Sequence, residues 1–150
     1  MSVVLQGLIG RICLAYLEDV IVYSKRIVHH VPDLRAVFER IREAKLKLKP
    51  SKCSLFRSEV LYLGHVINAS GTSPDPQKLR VLLNWQVPST VREVQSYLGF
   101  VNFYGDFIAS STDLTSSLYE LTVARKNNDA VQLSKIQLDA FNELKRRLCS

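Results

Sequence analysis

Hydrophobic and polar positions change period several times along the chain. Two short runs, "RICLAY" (11–16) and "DVIVYS" (19–24), are rich in β-branched and aromatic residues and are separated by two residues. That spacing predicts a β-hairpin with Leu17 and Glu18 at its turn. Neither turn residue is Gly or Asn, so the turn is expected to hold strain, which more often accompanies a functional site than a neutral one. From about His30 to Lys45 the period lengthens. Leu34, Val37, Phe38, Ile41 and Ala44 recur at helical spacing, with Pro32 expected in the first turn. "KLKLK" then alternates strictly and predicts a strand, with Lys45, Lys47 and Lys49 on one face and Leu46 and Leu48 on the other. "VLYLGHVIN" (60–68) is a further strand candidate, and Gly64 within it suggests a bulge or a close approach by another backbone. After the turn-rich "ASGTSPDPQK" the pattern becomes helical. Lys78–Trp85 is a short helix, and Thr90 with Glu93 forms a capping box opening a helix to about Ile108. Leu114, Leu118 and Leu121 mark another helix. "ARKNNDAVQ" is a polar connector, and Ser134 with Gln137 caps a last helix. The fold class expected is therefore α+β, mixed in the first half and helical in the second.

Composition narrows this picture. A chain of 150 residues suits one ordinary domain or a few small lobes. Hydrophobic residues make up 47% and charged residues 23%, which argues against general disorder. No apolar run approaches the roughly 18 residues of a membrane span. The opening "MSVVLQGLIG" lacks the pattern of a signal peptide, so an intracellular location without a membrane partner is expected. Three cysteines without paired spacing do not read as a disulfide framework, and no C-x-x-C or H-x-x-x-H suggests zinc. The net charge of +6 is concentrated: residues 25–57 hold ten Lys/Arg against three Asp/Glu, and residues 58–150 hold nine of each. One basic patch of this kind either attracts phosphates or is a solvated face.

Chemistry enters at the hairpin. Glu18 and Asp19 are adjacent carboxylates between two apolar runs. Magnesium takes hard oxygen ligands and is commonly shared between carboxylates and substrate phosphates, so an acidic pair at a hairpin tip suits it. Acidic residues are also common in turns, and both readings stay open from the residues alone.

Several longer motifs together carry a family resemblance. "YLEDVIVYSK", "LRAVFERIREAKLKLKPSKCSLF", "VLYLGHVI", "GTSPDPQK", "NWQVPSTVREVQSYLGFVNFYGDFI" and "LYEL" occur in the order seen in reverse transcriptases of gypsy-type LTR retrotransposons, which the chain resembles over nearly its whole length. The resemblance implies the rear part of a palm in residues 1–70, a thumb in 71–124 and, in 125–150, a connection toward an RNase H-like domain. The fingers would lie outside the chain. It implies template-directed addition of deoxynucleotides to a primer end, with Mg²⁺ as cofactor and an RNA or DNA primer-template as partner. Tyr16, Glu18 and Asp19 correspond to the Y-x-D-D hairpin, with Asp19 as its second aspartate and metal ligand. Leu63 and Gly64 correspond to the tip of the primer-grip hairpin. Gln95, Gly99 and Phe103, four residues apart, correspond to the side of the thumb helix that lies along the nucleic acid. For Gly99 close helix–helix packing is an equal alternative. Lys45, Lys47 and Lys49 are candidate phosphate contacts.

The sequence departs from the family pattern at three places. Glu18 stands where the family has the first aspartate, and its extra methylene displaces the carboxylate by on the order of 1 Å, enough to cost about a hundredfold where geometry is demanding. No Asp or Glu precedes Glu18 to match the metal-binding aspartate of an earlier palm strand. Gly105 and Asp106 stand where the family usually has two basic residues. The expectation is a polypeptide inactive on its own. Two alternatives are a nucleic-acid-binding remnant using the basic patch and thumb helix, and an enzyme completed in trans by another chain that supplies the missing palm and fingers.

Overall fold

The computed structural model describes residues 1–149 and divides after Arg57 into two units. In the first, β1 (Cys13–Tyr16) and β2 (Asp19–Val22) form an antiparallel hairpin with Tyr16 opposite Asp19. Alternation gives the hairpin two faces. Cys13, Ala15, Val20 and Val22 turn inward and pack with Leu5, Val37 and Ile41, whereas Leu14 and Tyr16 are exposed.

Helix α1 (Ile27–Glu43) supplies the other half of this core through Val37 and Ile41, and also buries Leu34. It starts three residues before the expected His30, so Pro32 lies in its second turn and not its first. No side chain caps its start at Arg26. Its end is closed by a Schellman turn: Leu46 N donates to Ile41 O at 3.0 Å, Lys45 N donates to Arg42 O at 2.9 Å, and Lys45 adopts φ +56°. This turn corrects the strand expected at "KLKLK". Lys45 belongs to a helix cap, and among the described residues no strand pairs with the segment that follows, although Lys49 is extended. The alternation that predicts a strand does not supply a neighbouring strand to hydrogen-bond with.

The second unit opens with a three-stranded antiparallel sheet, β3 (Glu59–Tyr62), β4 (His65–Asn68) and β5 (Gly71–Pro74). The single strand expected over 60–68 is thus a hairpin, turned at Leu63 and Gly64, and the "turn-rich" stretch after it contains a strand. Both turn residues have positive φ, +50° and +79°, as a type I′ turn requires. The helices follow as α2 (Pro76–Leu83), α3 (Val91–Phe103), α4 (Ser111–Tyr119) and α5 (Lys135–Cys149). The Thr90–Glu93 capping box and the Ser134–Gln137 cap both form. Helix α3 stops at Phe103, short of Ile108, and a 3-10 turn over Gly105–Phe107 completes the stretch.

The core of this unit is one cluster that includes Leu82, Val94, Tyr97, Leu98, Val101, Tyr104, Leu118, Phe141 and Leu144. Tyr97 is fully buried, and its hydroxyl donates to Phe141 O at 2.8 Å. Burial, and then the nearby Cys149, raises the Tyr97 pKa far above the ordinary phenol value, so it stays a donor at any physiological pH. On the surface of α5, Arg146 and Arg147 both donate to Glu143 at 2.7 Å and hold its carboxyl down to about 2, from an ordinary 4.5. A depressed carboxyl stabilises the fold above its unfolded pKa, and the contribution disappears as pH falls through the folded value. Unfolding midpoints in urea are therefore expected to fall between about pH 4.5 and pH 2, and less steeply in Glu143→Gln. Parallel slopes would mean that the two arginines do not hold this carboxyl in solution.

Candidate nucleic-acid interface

The acidic tip of the first unit is built by the β1–β2 hairpin. Leu17 takes φ +50° at the first turn position, a conformation that Gly adopts without strain and Leu does not. Leu17, Glu18 and Asp19 are all exposed, and Tyr16 is 57% exposed on the same sheet face as Asp19. The strain expected from the turn sequence is therefore present, and it presents two adjacent carboxylates beside a tyrosine. Carboxylates are hard oxygen donors and fit Mg²⁺ by chemistry. In number they are few: among the described residues no three His, Cys, Asp or Glu side chains group closely enough to hold a metal ion.

Lys45, Lys47 and Lys49 lie in the same unit, all exposed. Lys45 is held by the Schellman turn. Lys49 O accepts from Lys52 N at 2.9 Å and from Cys53 Sγ at 3.4 Å, which folds the segment into a 3-10 turn over Pro50–Lys52. The three ammonium groups thus project from a capped, turned segment and not from one face of a sheet.

In the second unit the structure brings the predicted grip and helix residues together. The carbonyl of Gly64 accepts two hydrogen bonds, from the Tyr104 hydroxyl at 2.9 Å and from Asp75 N at 3.1 Å. A Cβ at Gly64 would meet Phe103 Cε1 and the Tyr104 hydroxyl oxygen at 3.3 Å each. Glycine at this tip is thus required twice, by its φ and by the close approach of α3. His65 packs its ring on Phe103, Tyr104 and Phe107 with centroids 5.1, 5.5 and 5.7 Å away, and its Nδ1 lies 3.1 Å from Leu63 O. Burial, and then the Asp75 charge, pushes the Tyr104 hydroxyl above its ordinary pKa, so it remains the donor that holds the tip.

Gln95, Gly99 and Phe103 form an exposed ridge along α3, opposite the buried Val94, Leu98 and Val101. Nothing lies within 4 Å of a Cβ built at Gly99. Helix–helix packing within the chain therefore does not account for this glycine. The ridge ends at Phe103, in contact with the Leu63–Gly64 tip, so five of the predicted residues lie on one continuous surface. Tyr104, His65 and Asp75, which hold that surface together, escaped the sequence analysis. Tyr104 carries a legible signal, since it continues the buried spacing of Val94, Tyr97 and Val101. Asp75 carries a local one, an acid directly before Pro76 whose side chain caps α2 by accepting from Gln77 N at 2.8 Å, whereas the ring packing of His65 on Phe103 and Tyr104 leaves none, because those partners are distant in sequence.

The strand and helix arrangement defines a reverse-transcriptase fold. The chain superposes on a foamy viral protease–reverse transcriptase solved in complex with double-stranded DNA, with a TM-score of 0.85, 24% identity, and coverage of 99% of this chain and 26% of that one. A second structure of that enzyme, with an RNA/DNA hybrid, gives 0.82, 24%, and coverage of 98% and 20%. Residues 1–67 match the family model described as reverse transcriptase (RNA-dependent DNA polymerase). Drosophila melanogaster Pol polyproteins from transposon 297 and transposon gypsy are 30% and 29% identical over 97% and 95% of the chain. The chain is homologous to the reverse transcriptase region of LTR-retrotransposon Pol polyproteins, those of gypsy-type elements among them. It spans 14% of the length of each of these two relatives. Reverse transcriptases as a family use divalent metal ions.

Proposed function

We propose that the chain is a primer-template-holding portion of a retrotransposon reverse transcriptase. In this reading residues 1–70 are the rear of the palm, 71–124 the thumb and 125–150 the connection. The observation that carries it is the surface formed by Leu63, Gly64, Phe103, Gly99 and Gln95. A helix ridge interrupted by an unpacked glycine leaves room for a sugar–phosphate backbone, Gln95 can hydrogen-bond at a groove, and Phe103 offers an exposed ring. Lys45, Lys47 and Lys49 would add phosphate contacts.

Glu18 and Asp19 would hold a divalent ion beside Tyr16. Such an ion, when bound, lowers the pKa of a primer hydroxyl and neutralises phosphate charge. Polymerisation would need a further carboxylate at this tip, from a longer chain or a partner chain. The 150-residue polypeptide alone is expected to bind a duplex without extending it.

The test is Gly99→Ala. A methyl in open space on a helix should raise stability by about 0.5–1 kcal/mol. On the binding ridge it should lower affinity for a primer-template duplex by roughly tenfold, about 1.4 kcal/mol. Fluorescence anisotropy and urea unfolding on the same samples would show the two effects with opposite signs. A more stable variant that binds as well as wild type would remove this ridge from the interface.

A further inference from the structure

Leu63 stands at the first position of the β3–β4 turn with φ +50°, where a leucine is strained and Gly or Asn is not. Such a conformation persists where its surroundings over-determine it. Here they act on the next residue. The Gly64 carbonyl takes one donor from each side: Asp75 N, between β5 and α2, at 3.1 Å, and the Tyr104 hydroxyl, at the end of α3, at 2.9 Å. Tyr104 directly follows Phe103, the last residue of the exposed ridge, so this bond ties the tip to the ridge. The Tyr104 ring is buried against Phe103, Phe100 and His65, with centroids 4.8, 5.3 and 5.5 Å away. A phenylalanine would make the same ring contacts. What tyrosine adds is one hydroxyl, which needs an acceptor to offset its desolvation, and that acceptor is the backbone of the tip. Tyr97 is the comparison. Its hydroxyl also donates to a main-chain carbonyl, Phe141 O, but within the core.

We propose that Tyr104 is a positioning residue for primer-template binding: through the Gly64 carbonyl it sets where Leu63 stands against the α3 ridge. The proposal rests on the reading of tip and ridge as the nucleic-acid surface. Leu63 and the ridge residues belong to different elements, and a duplex meets both at once at full affinity only when their spacing is fixed beforehand. Otherwise binding itself must order the tip, and that cost is subtracted from affinity. A hydroxyl bond to the main chain suits the task, because it fixes the turn without using the Leu63 side chain, which is 39% exposed. Tyr104→Phe removes the bond and leaves the Gly64 oxygen paired with Asp75 N, so no buried group is orphaned and the fold survives.

The first readout is anisotropy of a fluorescein-labelled primer-template DNA duplex on the full chain. Tyr104→Phe is expected to bind about fivefold more weakly, within the range of pairwise couplings between residues in contact. In the Leu63→Ala background the same change should cost nothing further, because no leucine is left to position. With Gln95→Ala, at the far end of the ridge, the two losses should multiply. A merely structural tyrosine would multiply with both. Tyr97→Phe is the control: circular dichroism should show a lower melting temperature and anisotropy an unchanged affinity. The second readout needs no nucleic acid. Exchange of the Asp75 amide hydrogen, followed by NMR, should speed up by about tenfold or more in Tyr104→Phe, with the Leu144 amide in α5 unchanged. Unchanged affinity in Tyr104→Phe, a loss that persists in the Leu63→Ala background, an equal loss in Tyr97→Phe, or unchanged exchange at Asp75 would overturn the positioning role and leave the surface assigned. A wild-type chain that binds no duplex would remove the assignment of the surface, and the proposal with it.

Discussion

Replacing Phe141 with Ala is expected to lower the stability of the second unit by about 3–5 kcal/mol. Phe141 is 1% exposed, lies in the cluster that α2, α3, α4 and α5 share, and packs on the Tyr97 ring at a centroid distance of 4.5 Å. Its removal leaves a cavity in the cluster through which these helices pack. The Tyr97 hydroxyl bond survives, because its acceptor is the Phe141 backbone. The predicted loss is therefore packing, together with the contact of the Lys145 ammonium over the ring, 4.9 Å from its centroid. For a unit of this size each kcal/mol corresponds to about 4–8 °C in Tm, so a fall of at least about 12 °C should appear by circular dichroism. Phe103→Ala is the control, since Phe103 is 56% exposed and adds little to the core. Its effect should stay within about 1 kcal/mol. If the two variants melted together, the helices would not be held by this cluster.

Reversing Lys45, Lys47 and Lys49 to Glu is expected to weaken binding of a primer-template duplex by on the order of a hundredfold or more at about 0.1 M salt. The three lysines sit in the segment that carries the positive excess of the chain, ten Lys/Arg against three Asp/Glu over residues 25–57. Six units of charge change there remove attraction and add repulsion. The salt slope should fall by up to about 3, close to one for each lost phosphate contact. Titrations at several salt concentrations separate this from misfolding, because unfolded protein would lose affinity without preserving a shallower slope. All three residues are exposed, so melting should change little. Unchanged affinity and slope would mean that the lysines are a solvated face.

The β1–β2 hairpin, the amphipathic α1 and both helix caps were legible in the sequence. Each rests on interactions between residues close along the chain, such as the two-residue spacing of "AYLEDV" or the Thr90–Glu93 box. The failures have the same root. Strict alternation at "KLKLK" is a necessary condition for a strand, but a strand also needs a neighbour, and the Schellman turn at Lys45 leaves this segment without one. The continuous apolar look of "VLYLGHVIN" concealed a type I′ turn that motif resemblance located and periodicity did not. Gly99 shows the limit most directly. Sequence could only balance two explanations for a helical glycine, packing or an external approach, and the empty space around its Cβ shows that no packing among the described residues requires it. By itself the sequence determined the local elements, the acidic tip and the concentration of positive charge, because those depend on neighbours within a few residues. Only the tertiary structure decided that the Leu63–Gly64 tip meets Phe103, with Tyr104 and Asp75 both bonded to one carbonyl, because contacts across up to forty residues depend on how the core closes and leave no period in the chain.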